Sequence, residues 1–151
     1  MKSTPLQTLR SLIEPVLRQP EFIQVAALCL RDGKAGREVL MVTSRRTGRW
    51  VLPKGWPMKR RTLAGAAQQE AWEEAGVIGR VDETPIGYYS YQKRHRTGLM
   101  LACRVEVFRL EVAHLARDWP EKKKRKRRWM PIEAAATAVD EPELAAMLRA
   151  L

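Results

Sequence analysis

Three glutamates lie close together in the middle of the chain, in the segment AAQQEAWEEAGV over residues 66–77. Glu70, Glu73 and Glu74 are spaced by three and four residues, so a helix would place all their carboxylates on one face. Like charges at that spacing repel, and the last two glutamates fall in the final helical turn, where the helix dipole disfavours anions. A divalent cation would relieve this repulsion, because Mg²⁺ binds oxygen ligands. A solvated acidic face is the alternative that the spacing leaves open.

The elements that must position these glutamates can be predicted from local patterns. Alanines favour a helix over residues 62–75, and Gly76 stands where a terminating glycine belongs. Before it, apolar runs predict strands over 24–30, 38–43 and 50–52, the first two joined as a hairpin by the turn at Asp32 and Gly33. After it, strands are predicted over 86–91, 99–110 and 129–130, and helices over 131–139 and 142–151.

The domain organisation follows from length and pattern. The 151 residues show no internal repeat and no sign of a second domain. We therefore predict a single α/β (α+β) domain over 1–151. It would carry an N-terminal helical extension over 1–20, starting at Thr4 and Pro5, and a C-terminal helix over 140–151.

The charge of the chain points to an anionic partner. Lysine and arginine total 28 against 17 acidic residues, a net charge of +11, and the run from Lys122 to Arg128 supplies seven of the cations. Nucleic acid, an anionic lipid or a polyphosphate would suit such a protein. A merely solvated basic surface is the alternative.

Composition also excludes several classes of protein. Hydrophobic residues make up 45% and charged residues 30%, which is typical of a soluble globular domain. The longest apolar run, over 25–30, is too short for a membrane span, and the N-terminus lacks a secretory signal, so we expect a cytoplasmic protein with no membrane partner. Cys29 and Cys103 are far apart in apolar runs, which predicts buried thiols and no cysteine metal site.

The segment from Gly55 to Val77 resembles the Nudix box, G-x5-E-x7-R-E-U-x-E-E-x-G-U, in which U is a bulky aliphatic residue. Six positions match without a gap: Gly55, Glu70, Glu73, Glu74, Gly76 and Val77. The stretches 39–52, 93–97 and 125–134 are similar to the diphosphoinositol polyphosphate phosphohydrolases, so the resemblance covers about residues 22–140. It implies a Nudix-like α/β/α sandwich with a central mixed β-sheet, and hydrolysis of a phosphoanhydride bond.

The resemblance also implies roles for the glutamates. Glu70 and Glu74 would bind Mg²⁺ or Mn²⁺ together with the carbonyl of Gly55. Glu73 would be catalytic, activating the attacking water or holding another metal. Glu121 is a candidate for a fourth ligand.

The substrate implied by the resemblance is a small phosphorylated molecule. Arg45, Arg94, His95 and Arg125 fall where the similar enzymes contact substrate phosphates, and Lys54 belongs to the same basic surroundings of the box. Arginine suits this role because it binds phosphate bidentately. His95 is better suited to donating a hydrogen bond to phosphate than to binding a metal. Solvated loops are the alternative for each of these residues.

Two departures from the box bear on activity. Arg61 occupies the place of the first glutamate, and Gln69 the place of the arginine; Ala71 is also smaller than the usual aliphatic residue. Because that glutamate and arginine are lost together, we expect a paired replacement with retained but slower catalysis. An inactive protein is the alternative.

The run from Lys122 to Arg128 has three possible roles: a solvated loop, an extension of the phosphate site, or a nucleic-acid surface. The last is not favoured, because no aromatic residue interrupts the run.

The function predicted first is Mg²⁺-dependent hydrolysis of a phosphoanhydride in a phosphate-rich substrate, with diphosphoinositol polyphosphate as the first candidate. The alternatives are a hydrolase of dinucleoside polyphosphates or other nucleoside diphosphate-linked compounds, and a catalytically weak module that binds RNA or another polyanion. A nucleoside substrate needs an aromatic slot, so a tryptophan or tyrosine beside Gly55 would favour it. The sequence predicts no oligomeric state.

Overall fold

A mixed sheet of eight strands forms the centre of the fold in the computed structural model, which describes residues 22–151. The strands are β1 (Phe22–Gly33), β2 (Gly36–Thr43), β3 (Trp50–Val51), β4 (Lys54–Gly55), β5 (Val77–Val81), β6 (Gly87–Arg94), β7 (Met100–Leu115) and β8 (Arg127–Pro131). The helices are α1 (Leu63–Ala75), α2 (Ile132–Ala138) and α3 (Pro142–Arg149). The helical extension predicted over 1–20 lies outside the described residues.

Strand β1 is the centre of this sheet. It pairs in parallel with β7, from Phe22 opposite Cys103 to Leu30 opposite Glu111, and antiparallel with β2 in the predicted hairpin. The strand order is β3-β2-β1-β7-β5, with β8 added to β2 and β6 to β7. Strand β4 pairs with the start of β1, so that Gly55 lies opposite Val25. The predicted mixed sheet is confirmed.

Apolar residues cover both faces of β1. Alternate side chains Val25, Ala27 and Cys29 pack with the alanines of α1 in one core. The other alternate set, Ala26, Leu28 and Leu30, packs with α2 and α3 in a second core. Burial on both faces explains why β1 reads as a continuous apolar run rather than an alternating one. The α/β/α sandwich is therefore confirmed.

The predicted elements differ from the observed ones mainly at the short strands. Neither β4 nor β5 was predicted. Strand β4 has only two residues, and β5 has five residues, one of which is Gly79. Strand β7 continues past Leu110 to Leu115, where it pairs with β5. Pairing with a partner close in space extends β7 where the local sequence alone marks no strand.

Helix α1 begins and ends as the sequence predicted. The Thr62 side chain accepts a hydrogen bond from the backbone N–H of Gly65, 3.0 Å away, which caps the first turn. Gly76 ends the helix in the left-handed region, with a φ of 66°, and its N–H donates to the carbonyl of Trp72. The glutamates therefore lie in the last two turns, directly before this cap.

Gly76→Ala should lower the free energy of unfolding by about 2–3 kcal/mol, measured by urea denaturation. The added Cβ would be strained at this φ and would lie 2.9 Å from Nη1 of Arg127 and 3.0 Å from Cδ2 of Trp119. Gly48→Ala is a matched control, because its φ is 70° with nothing within 4 Å of the added Cβ. The control should lose about 1 kcal/mol. Equal losses in the two variants would show that the Gly76 site is not crowded.

Candidate active site

A cavity of about 380 Å³ lies over the carboxyl-terminal half of α1 and is here called the carboxylate cavity. Glu70 and Glu74 line it, together with Lys54 and Gly55 from β4 and with Arg125. Helix α1 packs against β1, and β4 pairs with β1, so both elements hold their side chains over the same end of the sheet. The structure thus brings together five residues that the sequence assigned to metal and substrate.

Glu70 packs directly on the backbone of β4. A Cβ added to Gly55 would collide with the carboxylate of Glu70. Position 55 therefore needs a glycine for close approach, not for an unusual backbone angle.

Glu74 is almost fully buried, with 4% of its surface exposed. The backbone N–H of Lys54 donates to its Oε2 over 3.2 Å. On the other side, Nη2 of Arg125 lies 3.1 Å from Oε1. Both carboxylate oxygens are thus held by donors from separate segments of the chain.

Burial raises the pKa of both carboxyls. The pKa of Glu70 is raised to about 7, with further contributions from the negative charges of Glu73 and Glu121. The pKa of Glu74 is raised to about 8 by burial and by Glu70, although the guanidinium of Arg125 opposes the shift. A positive charge between the two carboxylates would be strongly favoured, because it would relieve both burial and mutual repulsion.

The donor set of this cavity fits a hard divalent cation. Glu70 and Glu74 offer carboxylate oxygens, and Gly55, whose carbonyl the resemblance implies as a ligand, lines the same cavity. Within residues 22–151, no three His, Cys, Asp or Glu side chains already form a metal-binding group. Mg²⁺ suits such a site, because it commonly takes one or two carboxylates and completes its shell with water and substrate phosphate.

Glu73 does not line this cavity, although its charge acts on Glu70. Nε2 of Gln69 donates to its Oε1 over 3.1 Å, so the residue in the place of the motif arginine contacts this glutamate as a neutral donor. Arg61, in the place of the first motif glutamate, is exposed. Of the two departures, Gln69 therefore contacts Glu73, and Arg61 lies at the surface.

The carboxyl end of α1 is held by residues 116–127, here called the clamp segment. It supplies donors to four successive backbone carbonyls, which belong to Glu73, Glu74, Ala75 and Gly76. The respective donors are the Glu121 N–H, the Trp119 Nε1–H, Nη1 of Arg127 and the Ala116 N–H. These contacts satisfy carbonyls that a helix end leaves without internal partners.

Arg127 also brings a positive charge to this helix end. Its guanidinium lies 3.7 Å from the centre of the Trp119 ring, and its Nη2 donates to the carbonyl of Ala116. Burial lowers the pKa of Arg127. A cation at this position offsets the unfavourable placement of Glu73 and Glu74 near the negative end of the helix dipole.

A second and larger cavity of about 880 Å³ adjoins the first and is here called the basic cavity. Four residues that the sequence analysis proposed as phosphate contacts line it: Arg45, Lys54, Arg94 and Arg125. Arg45 and Arg94 are exposed, whereas burial lowers the pKa of Lys54, whose Nζ lies 4.4 Å from the centre of the Tyr91 ring.

His95 does not line either cavity. It lies in the turn between β6 and β7, where its Nδ1 is 2.8 Å from Oγ1 of Thr97. The structure therefore brings four of the five predicted phosphate contacts together and leaves His95 in the neighbouring hairpin turn.

The run from Lys122 to Arg128 is divided between inward and outward side chains. Arg125 and Arg127 point into the fold, and Arg128 lies over the Trp50 ring at 5.0 Å. Lys123, Lys124 and Lys126 are exposed. The run is therefore neither a uniformly solvated loop nor a uniform basic stripe.

Gln24 is a polar residue of the site that the sequence analysis missed. Its side chain lines the carboxylate cavity and is 1% exposed, and its Oε1 has no hydrogen-bond partner among the described residues. The available signal was a lone amide at the start of an otherwise apolar strand. A buried amide oxygen without a partner is costly, and here it adjoins the cavity that suits a cation or a phosphate.

Comparison with known proteins identifies the class to which this fold and site belong. The family model described as "NUDIX domain" matches residues 22–151. The chain belongs to the Nudix family.

Individual relatives agree with this assignment. Nudix hydrolase 12, mitochondrial, of Arabidopsis thaliana is 39% identical over 101 residues, which cover 65% of this chain and 50% of that protein. Diphosphoinositol polyphosphate phosphohydrolase 3-alpha of Mus musculus is 34% identical over 116 residues, covering 74% and 65%. The chain thus spans about half to two thirds of the length of these relatives.

Solved structures share the fold at lower identity. The Ap4A hydrolase of C. elegans has a TM-score of 0.59 at 18% identity and covers 86% of this chain and 95% of its own. The NUDIX domain of Shewanella oneidensis NrtR complexed with ADP ribose has a TM-score of 0.65 at 15% identity, with 98% of both chains covered.

The location in the cell remains a prediction. Across residues 22–151, no helix is long and apolar enough to cross a membrane. Two Arabidopsis relatives are named as mitochondrial proteins, so the comparisons do not confirm the cytoplasmic location.

Glu70→Gln should stabilise the metal-free protein at pH 8 by about 1 kcal/mol, allowing for solvent screening of a partly exposed carboxylate. The pKa of Glu70 in the folded protein, about 7, exceeds the unfolded value. Stability from its protonation is therefore fully present below about pH 4.5 and is lost as the pH rises through 7. The advantage of the variant should be smallest near pH 4.5 and largest above pH 7.

Urea unfolding in EDTA across this pH range tests the prediction, with the exposed Glu83→Gln as control. Added Mg²⁺ should stabilise the native protein more than Glu70→Gln, because the variant lacks one anionic ligand. Equal free energies of unfolding for native and variant proteins at pH 8 would mean that partial burial of the Glu70 carboxylate does not destabilise the fold.

Gln24→Leu should raise the free energy of unfolding of the metal-free protein by about 1 kcal/mol, because it removes a buried acceptor that has no partner within the described part of the chain. The matched control is Gln92→Leu on the exposed side of β6, which should change stability little. Thermal unfolding compares the two variants. A loss of stability on replacing Gln24 would show that its amide is satisfied in the native protein.

Proposed function

We propose that this protein hydrolyses a phosphoanhydride bond in a small, phosphate-rich substrate, with Mg²⁺ or Mn²⁺ as its cofactor. The observation that carries the proposal is the pair Glu70 and Glu74. These two carboxyls, one buried and one partly buried, both have raised pKa values and face a cavity that continues into one lined by arginines and lysines. The two carboxylates can bind a divalent cation, and the adjoining lysines and arginines can bind the phosphate groups of the substrate.

Each part of the site has a proposed task. Glu70, Glu74 and the carbonyl of Gly55 would hold the cation, which supplies a Lewis acid that neutralises charge on the phosphate oxygens. Glu73 is the proposed base by its place in the motif. Its carboxylate, which accepts from Gln69, would receive the proton of the attacking water as a bridging P–O bond breaks.

The basic cavity supports a substrate with several phosphate groups. Arg45 and Arg94 are exposed and line this cavity, so their guanidinium groups can contact phosphate without breaking an ion pair within residues 22–151. Lys54 lines both cavities and would add a point charge between the cation and the outer phosphates. His95, in the adjacent hairpin turn, would donate to a phosphate that extends beyond the cavity.

Diphosphoinositol polyphosphate is the first candidate substrate. Relatives with this substrate in their names are 34% identical to the chain. A substrate of this kind has many phosphates and no aromatic ring, which suits the density of cations along the basic cavity.

A nucleoside-linked phosphoanhydride is the second candidate, and Trp56 favours it. This residue follows Gly55, is 40% exposed and lines the carboxylate cavity. Phe22 meets its ring edge-on with centroids 6.2 Å apart, and Nζ of Lys93 lies 5.2 Å from the ring centre. An exposed indole beside the reacting centre offers a surface on which a nucleobase can stack.

Phosphate release in the presence of Mg²⁺ tests the proposed function, comparing diphosphoinositol polyphosphate with diadenosine polyphosphates. Native protein should turn over at least one of them, and Glu74→Gln should reduce kcat by about 100-fold or more, because it removes a charged ligand. Folded protein that binds polyanions without Mg²⁺-dependent turnover of either substrate would favour the binding-module alternative.

Trp56→Ala distinguishes the two substrate classes. If a base stacks on Trp56, the variant should raise KM for diadenosine polyphosphates about tenfold, the equivalent of about 1.4 kcal/mol. Its KM for diphosphoinositol polyphosphate should change less than twofold, and Trp56→Phe should restore most of the affinity. Equal changes for the two substrates would exclude stacking on this residue.

A further inference from the structure

The guanidinium of Arg125 makes three contacts inside the protein. Its Nη2 lies 3.1 Å from Oε1 of Glu74, its Nε donates to Oε1 of Glu121 over 3.1 Å, and its Nη1 donates to the carbonyl of Thr43 over 3.1 Å. The side chain is 13% exposed. We propose that Arg125 is a positioning residue that fixes the carboxylate of Glu74. The inference rests on the proposed function, in which Glu74 holds the cation.

Three acceptors from different parts of the fold determine the orientation of this guanidinium. Thr43 ends β2, Glu121 belongs to the clamp segment, and Glu74 lies in the last turn of α1. A planar guanidinium group that makes three contacts cannot rotate toward a substrate without losing at least one of them. Arg45 and Arg94, by contrast, are exposed at the edge of the same basic cavity. Arg125 is therefore poorly placed to act as a mobile phosphate contact.

Glu74 is fixed between two donors. The N–H of Lys54 reaches Oε2 and Arg125 reaches Oε1, so the plane of the carboxylate is set by β4 on one side and by the clamp segment on the other. Only 5% of this side chain is exposed. Its remaining lone pairs stay available, since each carboxylate oxygen can accept more than one contact. The arrangement orients a cation ligand before the cation binds.

The need for Arg125 follows from the departures in the motif. The position that carries an arginine in the Nudix box is Gln69 here, and its neutral amide contacts Glu73. Helix α1 has no basic residue in its last turn. Arg125 brings a guanidinium to the buried end of this helix from a segment far along the chain. Sequence resemblance assigns Arg125 to substrate phosphate, whereas in the structure its guanidinium contacts Glu74, Glu121 and Thr43.

Steady-state kinetics of Arg125→Gln separate a positioning role from a substrate contact. A misplaced ligand should lower kcat by about 100-fold while KM stays within about threefold of the native value. Arg125→Lys should recover only part of kcat, because an ammonium keeps the charge but cannot reach three acceptors in a fork. Arg45→Gln is the comparison for a substrate contact, with KM raised and kcat nearly unchanged. Lys123→Gln, exposed in the same basic run, should alter neither constant.

A second readout needs neither metal nor substrate. In a double-mutant cycle on metal-free protein, Arg125→Gln should lower Tm less in the Glu74→Gln background than in the native one, because the shared contact is already lost. Additive changes in Tm would overturn the inference. So would a rise in KM of tenfold or more with kcat preserved in Arg125→Gln.

Failure of the proposed function is distinguishable from failure of this inference. If native protein shows no Mg²⁺-dependent turnover of either substrate class, the proposed hydrolysis fails, and the cycle still measures the contact. Strong coupling in that case supports the positioning of Glu74, and additivity overturns it.

Discussion

The placement of one buried and one partly buried carboxylate at the carboxyl end of one helix is the constraint on which the rest of this structure depends. Glu74 is withdrawn from water and Glu70 is partly so. The two carboxylates repel each other, and they lie near the negative end of the α1 dipole. No part of that arrangement is favourable for a helix alone. Contacts with the surrounding elements offset this unfavourable free energy. In the proposed function, a divalent cation offsets it further.

The fold answers this constraint in two ways. Alanines along α1 let the helix approach β1 closely, and the glycine at position 55 lets β4 reach the Glu70 carboxylate. The clamp segment then donates hydrogen bonds to the last carbonyls of α1. It also places Arg125 and Arg127 at the carboxyl end of this helix. A site that holds anions apart from water thus needs support from parts of the chain that are distant in sequence.

Local signals were sufficient for the helix and its functional face. The alanines and Gly76 mark the helix over 62–75, and the spacing of Glu70 and Glu74 puts both on one side, all of which can be read without a structure. The hairpin of β1 and β2 and the two C-terminal helices follow from apolar patterns in the same way. The Nudix motif supplied the position of Gly55, because a backbone carbonyl ligand has no side-chain signal.

Contacts between distant segments could not be predicted from the sequence. Lys122 to Arg128 reads as one basic run, but which cations turn inward depends on where Trp119 and the end of β2 lie in space. Strands β4 and β5 are defined by pairing partners and not by their own residues. Gln24 was hidden in an apolar strand, since one amide does not change the pattern. His95 was placed among phosphate contacts by resemblance, and the hairpin turn holds it outside the two cavities.

The most direct test of this account is the titration of the glutamate carboxyl groups by ¹³C NMR in metal-free protein, with Glu70→Gln and Glu74→Gln for assignment. The account predicts midpoints for Glu70 near pH 7 and for Glu74 near pH 8, and saturating Mg²⁺ should shift both toward lower pH. Midpoints near the ordinary value of about 4.3 for both groups, unchanged by Mg²⁺, would contradict the claim that these two carboxylates are built to hold a cation.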